Sequence, residues 1–288
     1  MNKTVLSLAL LGAVTAPAGA AWAEEATPAW TFPGSVTVVS DYIFRGQTQT
    51  WGEMAAQVGL EANHESGFYI GFFGSNVSDQ WLPGATLETD LYTGFRGKLG
   101  ADEQIGYDVG VVYYMYPGAD WDKSGFNPPA YPEGTTESGK LDSGELYVAV
   151  TYAFATFKAG YMFTDYFGWN TNNSGVGIGF AGDLEAGVKE DDTDGSYFYE
   201  LNLAYEVAPG WTLSGQVGQQ IIAESEGLDI VYYKVGVTKA LPESFALGLF
   251  WSGTDEPDAY ENFLSLRDTI DDYDVAQGTF VASLTKTI

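Results

Sequence analysis

LETDLYTGFRGKL, at Leu87–Leu99, is the stretch whose reading decides the fold. Counted in twos, Leu87, Leu91, Phe95 and Leu99 share one face, and Glu88, Asp90, Arg96 and Lys98 share the other. Side chains of an extended strand alternate sides, so this is a strand with one apolar and one charged face. YFYELNLAYEV at 197–207 behaves the same way, with Tyr197, Tyr199, Leu201, Leu203, Tyr205 and Val207 set against Glu200, Asn202 and Glu206. A soluble β-sandwich alternates too, burying its apolar face and wetting the other. Alternation alone therefore leaves both architectures open.

The connections separate them. Working outward, period-two runs of about ten residues, the length a tilted strand needs to cross a bilayer, recur along the chain. They fall at 35–45, 55–63, 68–75, 86–99, 104–116, 144–152, 155–164, 196–207, 211–220, 230–239, 245–251 and 273–287. Every second connection is short: 64–67, 100–103, 154, 208–210 and 240–244. The others, 46–54, 76–85, 117–143, 165–195, 221–229 and 252–272, are longer. Short turns at one end and long loops at the other mark bacterial outer-membrane barrels. The expected fold is all-β: a transmembrane, antiparallel, up-and-down β-barrel of about twelve strands with both termini in the periplasm. Tyr42, Phe44, Tyr114, Tyr116, Tyr152, Phe163, Tyr205, Trp211 and Trp251 sit at strand ends, where aromatic girdles meet the lipid–water boundary.

Export follows from the first residues. Lys3, an apolar run from Val5 to Val14 and the Ala21-Trp22-Ala23 ending read as a cleaved signal peptide over 1–23. That run is too short to span a bilayer as a helix, which disfavours an N-terminal anchor. A periplasmic linker over 24–34 and a barrel over 35–288 complete the expected organisation. The chain has no cysteine, so a barrel in lipid has no disulfide to lean on. A net charge of -27 excludes nucleic acid as a partner, while an aromatic content of 15% excludes a disordered acidic chain.

Several segments resemble the TorF family of bacterial outer-membrane porins, long catalogued without an assigned function. The most specific is SDYIFRGQTQT at 40–50. HESGFYIGFFGSNV at 64–77, YDVGVVYYMYPG at 107–118, YFYELNLAYEV at 197–207 and YYKVGVTKAL at 232–241 are also similar to that family. The resemblance implies an outer-membrane barrel with a porin role, and it supplies no substrate and no catalytic residue. Such a protein would contact outer-membrane lipid, lipopolysaccharide and the barrel-assembly machinery. Outer-membrane proteins usually end on the Phe or Trp that this machinery reads, whereas this chain ends on Ile288.

Charged residues on the polar parity are the candidate pore lining. Asp41 and Arg45 are four apart, so within a strand they share a face and point inward, leaving Tyr42 and Phe44 to the lipid. The same alternation turns Glu61, Glu88, Asp90, Asp108, Glu145, Glu200 and Glu206 inward, with Arg96, Lys98, Lys158 and Lys234. Carboxylates outnumber basic groups there, and carboxylate rings favour cations. The expected function is passive diffusion of small hydrophilic solutes, with a weak preference for cations and repulsion of acidic oligosaccharides. The rival is a non-conducting structural or adhesive barrel that acts through its acidic loops. A conduit for hydrophobic compounds fits less well, because the inward positions are mostly charged, amide, hydroxyl or glycine. The third and fourth long loops are the expected candidates to fold in and narrow the lumen.

No cofactor, metal centre or catalytic set is expected. KEDDTDGS at 189–196 misses the EF-hand spacing, because Glu200 falls one place early when Gly195 is aligned to the required glycine. It reads, like GTDEPDAYE at 253–261, as a solvated acidic loop. His64 is the only histidine and sits in a short turn with Ser66, a poor basis for an outer-membrane phospholipase.

Overall fold

The computed structural model describes residues 29–100, 102–125, 139–176, 185–190, 192–255, 258–268 and 270–288. The signal-peptide reading, residues 24–28 of the linker and residues 126–138 of the third long loop lie outside the described residues.

Twelve antiparallel strands carry the chain: β1 (Gly34–Val39), β2 (Ala55–His64), β3 (Phe68–Asn76), β4 (Leu87–Leu99), β5 (Ile105–Met115), β6 (Ser143–Tyr152), β7 (Ala155–Met162), β8 (Tyr197–Ala208), β9 (Trp211–Ile221), β10 (Ile230–Leu241), β11 (Phe245–Thr254) and β12 (Thr279–Thr287). Each pairs with its sequence neighbour. β12 then pairs with β1, Thr285 opposite Thr37, so the sheet closes into a barrel without an edge. The short ribbon Trp30–Thr31 pairs with Asn63 and His64, pinning the end of the linker to the short-turn end. The C-terminus is there too, Gly34 N–H donating to the Ile288 carbonyl at 3.0 Å.

The two faces of the wall are those the alternation predicts. Leu91, Phe95, Val109, Leu146, Phe157, Leu201, Leu213, Val235 and Leu249 stand outward and exposed along the strands. A wall that is apolar on its outside and hydrophilic within suits a hydrocarbon surround rather than water. Tyr152, Phe163, Tyr205 and Trp211 are also outward and exposed, as girdle residues would be.

The first strand is shorter than expected, and this changes the interior. β1 ends at Val39 instead of running to residue 45. Tyr42, expected on the lipid side, is 4% exposed inside the barrel, and Phe44 packs on Tyr114 and Phe167. Tyr114 and Tyr116, expected in a girdle, are likewise buried. The last strand begins at Thr279, and Asp272–Tyr273 forms a separate ribbon with Phe263–Leu264 in the sixth long loop.

At the long-loop end the connections pack on one another. Trp51, Trp81, Leu82, Trp121, Leu141, Phe167, Trp169, Leu228, Tyr260 and Phe263 belong to one buried apolar cluster that caps the barrel. Periodicity misses this cap because its residues lie in irregular chain, where spacing carries no facing information.

Candidate functional site in the barrel lumen

Residues 40–54 turn inward after β1 and place a hairpin across the lumen. Ile43–Phe44 pairs with Gln47–Thr48, and the tip is Arg45-Gly46. Their φ values of 46° and 84° are both left-handed, as a two-residue type I′ hairpin requires. The glycine is further constrained by the opposite wall. A Cβ on Gly46 would come within 2.4 Å of Thr254 Cγ2 and 2.8 Å of Tyr232 Cβ, so the tip touches β10 and β11.

Asp41 holds the base of this hairpin. Its Oδ1 accepts from Thr48 Oγ1 at 2.6 Å and from Thr50 Oγ1 at 2.9 Å, while Thr50 Oγ1 also accepts from the Tyr42 N–H at 3.0 Å. It is therefore a turn-closing residue beneath the loop and not a strand residue on the wall. Arg45 holds the far end. Its Nη2 donates to Glu145 on β6 at 2.5 Å and its Nη1 to Gln220 on β9 at 2.6 Å. The guanidinium also stacks 3.7 Å from the Phe198 ring centroid on β8. Both members of the Arg45–Glu145 pair are almost fully buried. The sequence reading put Arg45 in the lumen. Its partners Gln220 and Phe198 were not singled out, although both lie on the polar parity of their strands.

Toward the short-turn end, Arg96 donates to Glu61 through both terminal nitrogens, at 3.1 and 2.8 Å, and lies 3.6 Å from Asp108. Tyr69 joins this network, donating to Asp108 Oδ1 at 2.5 Å with its ring 3.8 Å beneath the guanidinium. Across the lumen, Glu200 accepts from Tyr232, Gln216 and Asn202 at 2.8 to 3.1 Å. Lys158 lies over the Tyr147 ring at 4.6 Å, and Lys234 over Phe250 at 5.3 Å. Lys98 and Glu206 sit at the rim. Lys98 is 3.8 Å from Glu103, and Glu206 accepts from the Gly210 N–H in the turn. Glu88 and Asp90, deep under the hairpin, are 1% and 0% exposed.

A ladder of aromatic rings over glycines builds the rest of the wall. Tyr69 faces Gly94, Tyr92 faces Gly71, Tyr147 faces Gly110, Phe198 faces Gly160 and Tyr232 faces Gly218, each pair directly opposite across neighbouring strands. Each ring lies flat on its glycine, leaving no room for a Cβ. At Gly71 one would meet Tyr92 at 2.1 Å, and at Gly160 it would meet Phe198 at 2.2 Å. Lying flat keeps large rings from filling the lumen. A cavity of about 250 Å³ remains against β1 to β7, lined by Gln57, Glu61, Tyr92, Arg96, Asp108 and Lys158 among others. A second of about 150 Å³ lies against β8 to β12, lined by Glu200, Gln216, Lys234, Thr238, Ser283 and Thr285 among others. Lys158 borders both.

His64 Nδ1 lies 2.8 Å from Ser66 Oγ and also accepts from the Ser66 N–H at 3.2 Å. Among the described residues no carboxylate bonds the ring, so the third member of a triad is missing. No three acidic, His or Cys side chains among the described residues converge as a preformed metal centre would. Asp191, Glu256 and Pro257 of the two acidic loops lie outside the described residues.

A family model described as a bacterial protein of unknown function, Gcw_chp, matches residues 23–288. The chain belongs to the Gcw_chp family. No curated protein matches it. Among solved structures it is similar to the NanC porin, at 6% identity over 89% of this chain and 98% of that one, with a TM-score of 0.49. The KdgM porin in complex with disordered oligogalacturonate matches at 5% identity, 88% and 97% coverage and a TM-score of 0.47. The COG4313 outer membrane channel from Pseudomonas putida F1 matches at 12% identity, 91% and 96% coverage and a TM-score of 0.41.

Proposed function

We infer that this family member is an outer-membrane porin through which small hydrophilic solutes diffuse passively, with a weak preference for cations. The observation that carries the reading is the interior of the closed wall. Two cavities of about 250 and 150 Å³ lie in a lumen where charged, amide and hydroxyl groups stand among aromatic rings, inside a surface that is apolar outward. Twelve strands enclose more space than the eight that side chains fill, and the aromatic-over-glycine ladder preserves it. The inward carboxylates Glu61, Glu88, Asp90, Asp108, Glu145, Glu200 and Glu206 outnumber Arg45, Arg96, Lys98, Lys158 and Lys234, which favours cations. The TorF-like motif at 40–50 is the inward hairpin itself, so the most specific part of that resemblance falls on the constriction.

The docked hairpin and the packed loop cap favour one alternative, a non-conducting barrel that works through its acidic loops. Conductance of the refolded protein in a planar bilayer under a salt gradient tests both. Discrete steps with a reversal potential of cationic sign are the expected result. A clear anion preference at neutral pH would overturn the selectivity, and silence from a folded protein would select the alternative.

A further inference from the structure

The larger cavity, below the hairpin, carries its charges in balance. Those on its lining are Glu61, Asp108, Arg96 and Lys158, two of each sign. Arg96 and Glu61 hold each other through two hydrogen bonds. The other two have bonding capacity to spare. Lys158 is 5% exposed, yet its ammonium makes neither a hydrogen bond nor an ion pair among the described residues, and rests over the Tyr147 and Phe198 rings at 4.6 and 5.2 Å. Glu145, Glu200 and Asp108 compensate its charge from longer range, so what it lacks is an acceptor in contact. Asp108 Oδ1 accepts from Tyr69, while Oδ2 accepts no hydrogen bond among the described residues and stands 3.6 Å from Arg96 Nε. Asp108 on β5 and Lys158 on β7 are both in register with Ala149 on β6. They therefore lie at one depth, two strand spacings or about 10 Å apart, with only a methyl side chain between them.

The rest of the lining adds a flat apolar surface and a polar wall. Tyr92, inward and half-buried, lies on Gly71 with its phenol against Glu61, so the ring is held flat to the wall. Ser35, Thr37, Gln57, Asn63 and Thr287 supply hydroxyls and amides from β12, β1 and β2. Phe73 and Tyr114 close the top against Tyr42 and Phe44 of the inward loop, which leaves the entrance at the short-turn end. We propose that this cavity binds a neutral monosaccharide, an assignment that rests on the porin reading and names its solute class. A pyranose carries hydroxyls that both donate and accept around its rim, and an apolar C–H face that suits an aromatic ring. Lys158 donates to one hydroxyl, Asp108 Oδ2 accepts from another, and Tyr92 carries the C–H face. A volume of about 250 Å³ falls just under the roughly 300–1,000 Å³ of sites for larger ligands, so it takes one sugar ring and not an oligosaccharide. Balanced charge gives an acidic sugar no net attraction. A zwitterionic amino acid would satisfy Lys158 and Asp108 but leave Tyr92 and the polar wall unused.

The test is saturation-transfer NMR on the refolded barrel, in a detergent without a sugar headgroup, with methyl β-D-glucopyranoside as the probe. The wild type is expected to give saturable transfer in the millimolar range, strongest to the ring protons of one face. K158M should weaken binding about tenfold, through loss of a hydrogen bond to a charged group. Y92L should weaken it several-fold and remove the preference for one face. K234M, which alters the second cavity alone, should leave it unchanged. Folding is checked by heat-modifiable mobility, and Y92L decides if K158M does not refold. Absence of saturable transfer from folded wild type overturns the proposal, as does full retention in K158M or Y92L. Displacement of the glucoside by glucuronate or alanine at lower concentration than by glucose also overturns it, because the site then reads charge. Binding is measured here without current. A barrel that binds the glucoside and passes no ions keeps the site and loses the pore, whereas a conducting barrel that binds none loses the site alone.

Discussion

Replacing Arg45 by Asn tests the hairpin as the constriction. The choice of Asn matters, because Arg45 occupies the first left-handed position of the turn and Asn tolerates that conformation. The variant keeps the turn and removes the guanidinium. Its loss leaves Glu145 buried without its cation and Gln220 without its donor. Removing one partner of a buried ion pair costs roughly 3–5 kcal/mol. That cost falls on the docked state alone, since Glu145 is rehydrated once the hairpin leaves. At about 1.4 kcal/mol per decade, the equilibrium between docked and released hairpin shifts by two orders of magnitude or more. We predict that R45N spends at least about a hundredfold more time open than wild type in single-channel recordings. In R45N/E145Q part of the closure should return, because the stranded charge is gone. If R45N folds normally and both its dwell times and step size match wild type, the hairpin is not the gate and the reasoning fails.

Three further outcomes follow from the geometry. D41A removes the acceptor of both the Thr48 and Thr50 hydroxyls, about 1–3 kcal/mol of loop stability; trypsin should then cut after Arg45 faster than in wild type, and equal cutting rates would count against Asp41 as the staple. L201R puts a charge on the outward face of β8 and should cost about 2–4 kcal/mol in refolding into lipid vesicles if that face meets hydrocarbon. An L201R barrel that refolds as well as wild type would refute the membrane-facing assignment. G160A forces a methyl group into the Phe198 ring and should destabilise the barrel by about 1–3 kcal/mol in urea unfolding. G59A, whose closest neighbour would be Ser35 Oγ at 3.1 Å, should cost less, and equal losses would remove the ladder from the account.

Much of the barrel was legible because a strand has a period of two and a membrane reverses which face is apolar. Leu87–Leu99 alone carries both facts, and the short and long connections supply topology and direction. The inward parity of Glu61, Asp108, Lys158, Glu200 and Lys234 follows from the same alternation and needs no tertiary information. Alternation fails at residues 40–45. There the residues keep the pattern of a strand, but the chain has left the sheet, and only the far wall decides which way it turns. Asp41, Tyr42, Phe44 and Arg45 take their places from Thr48, Glu88, Tyr114 and Glu145, the last a hundred residues away. The ring-on-glycine ladder depends on the register between strands, which no single strand encodes. Face and order were therefore set locally by the sequence, whereas the docked hairpin and the burial of Glu88 and Asp90 behind it arise only when the closed barrel brings distant side chains to one depth.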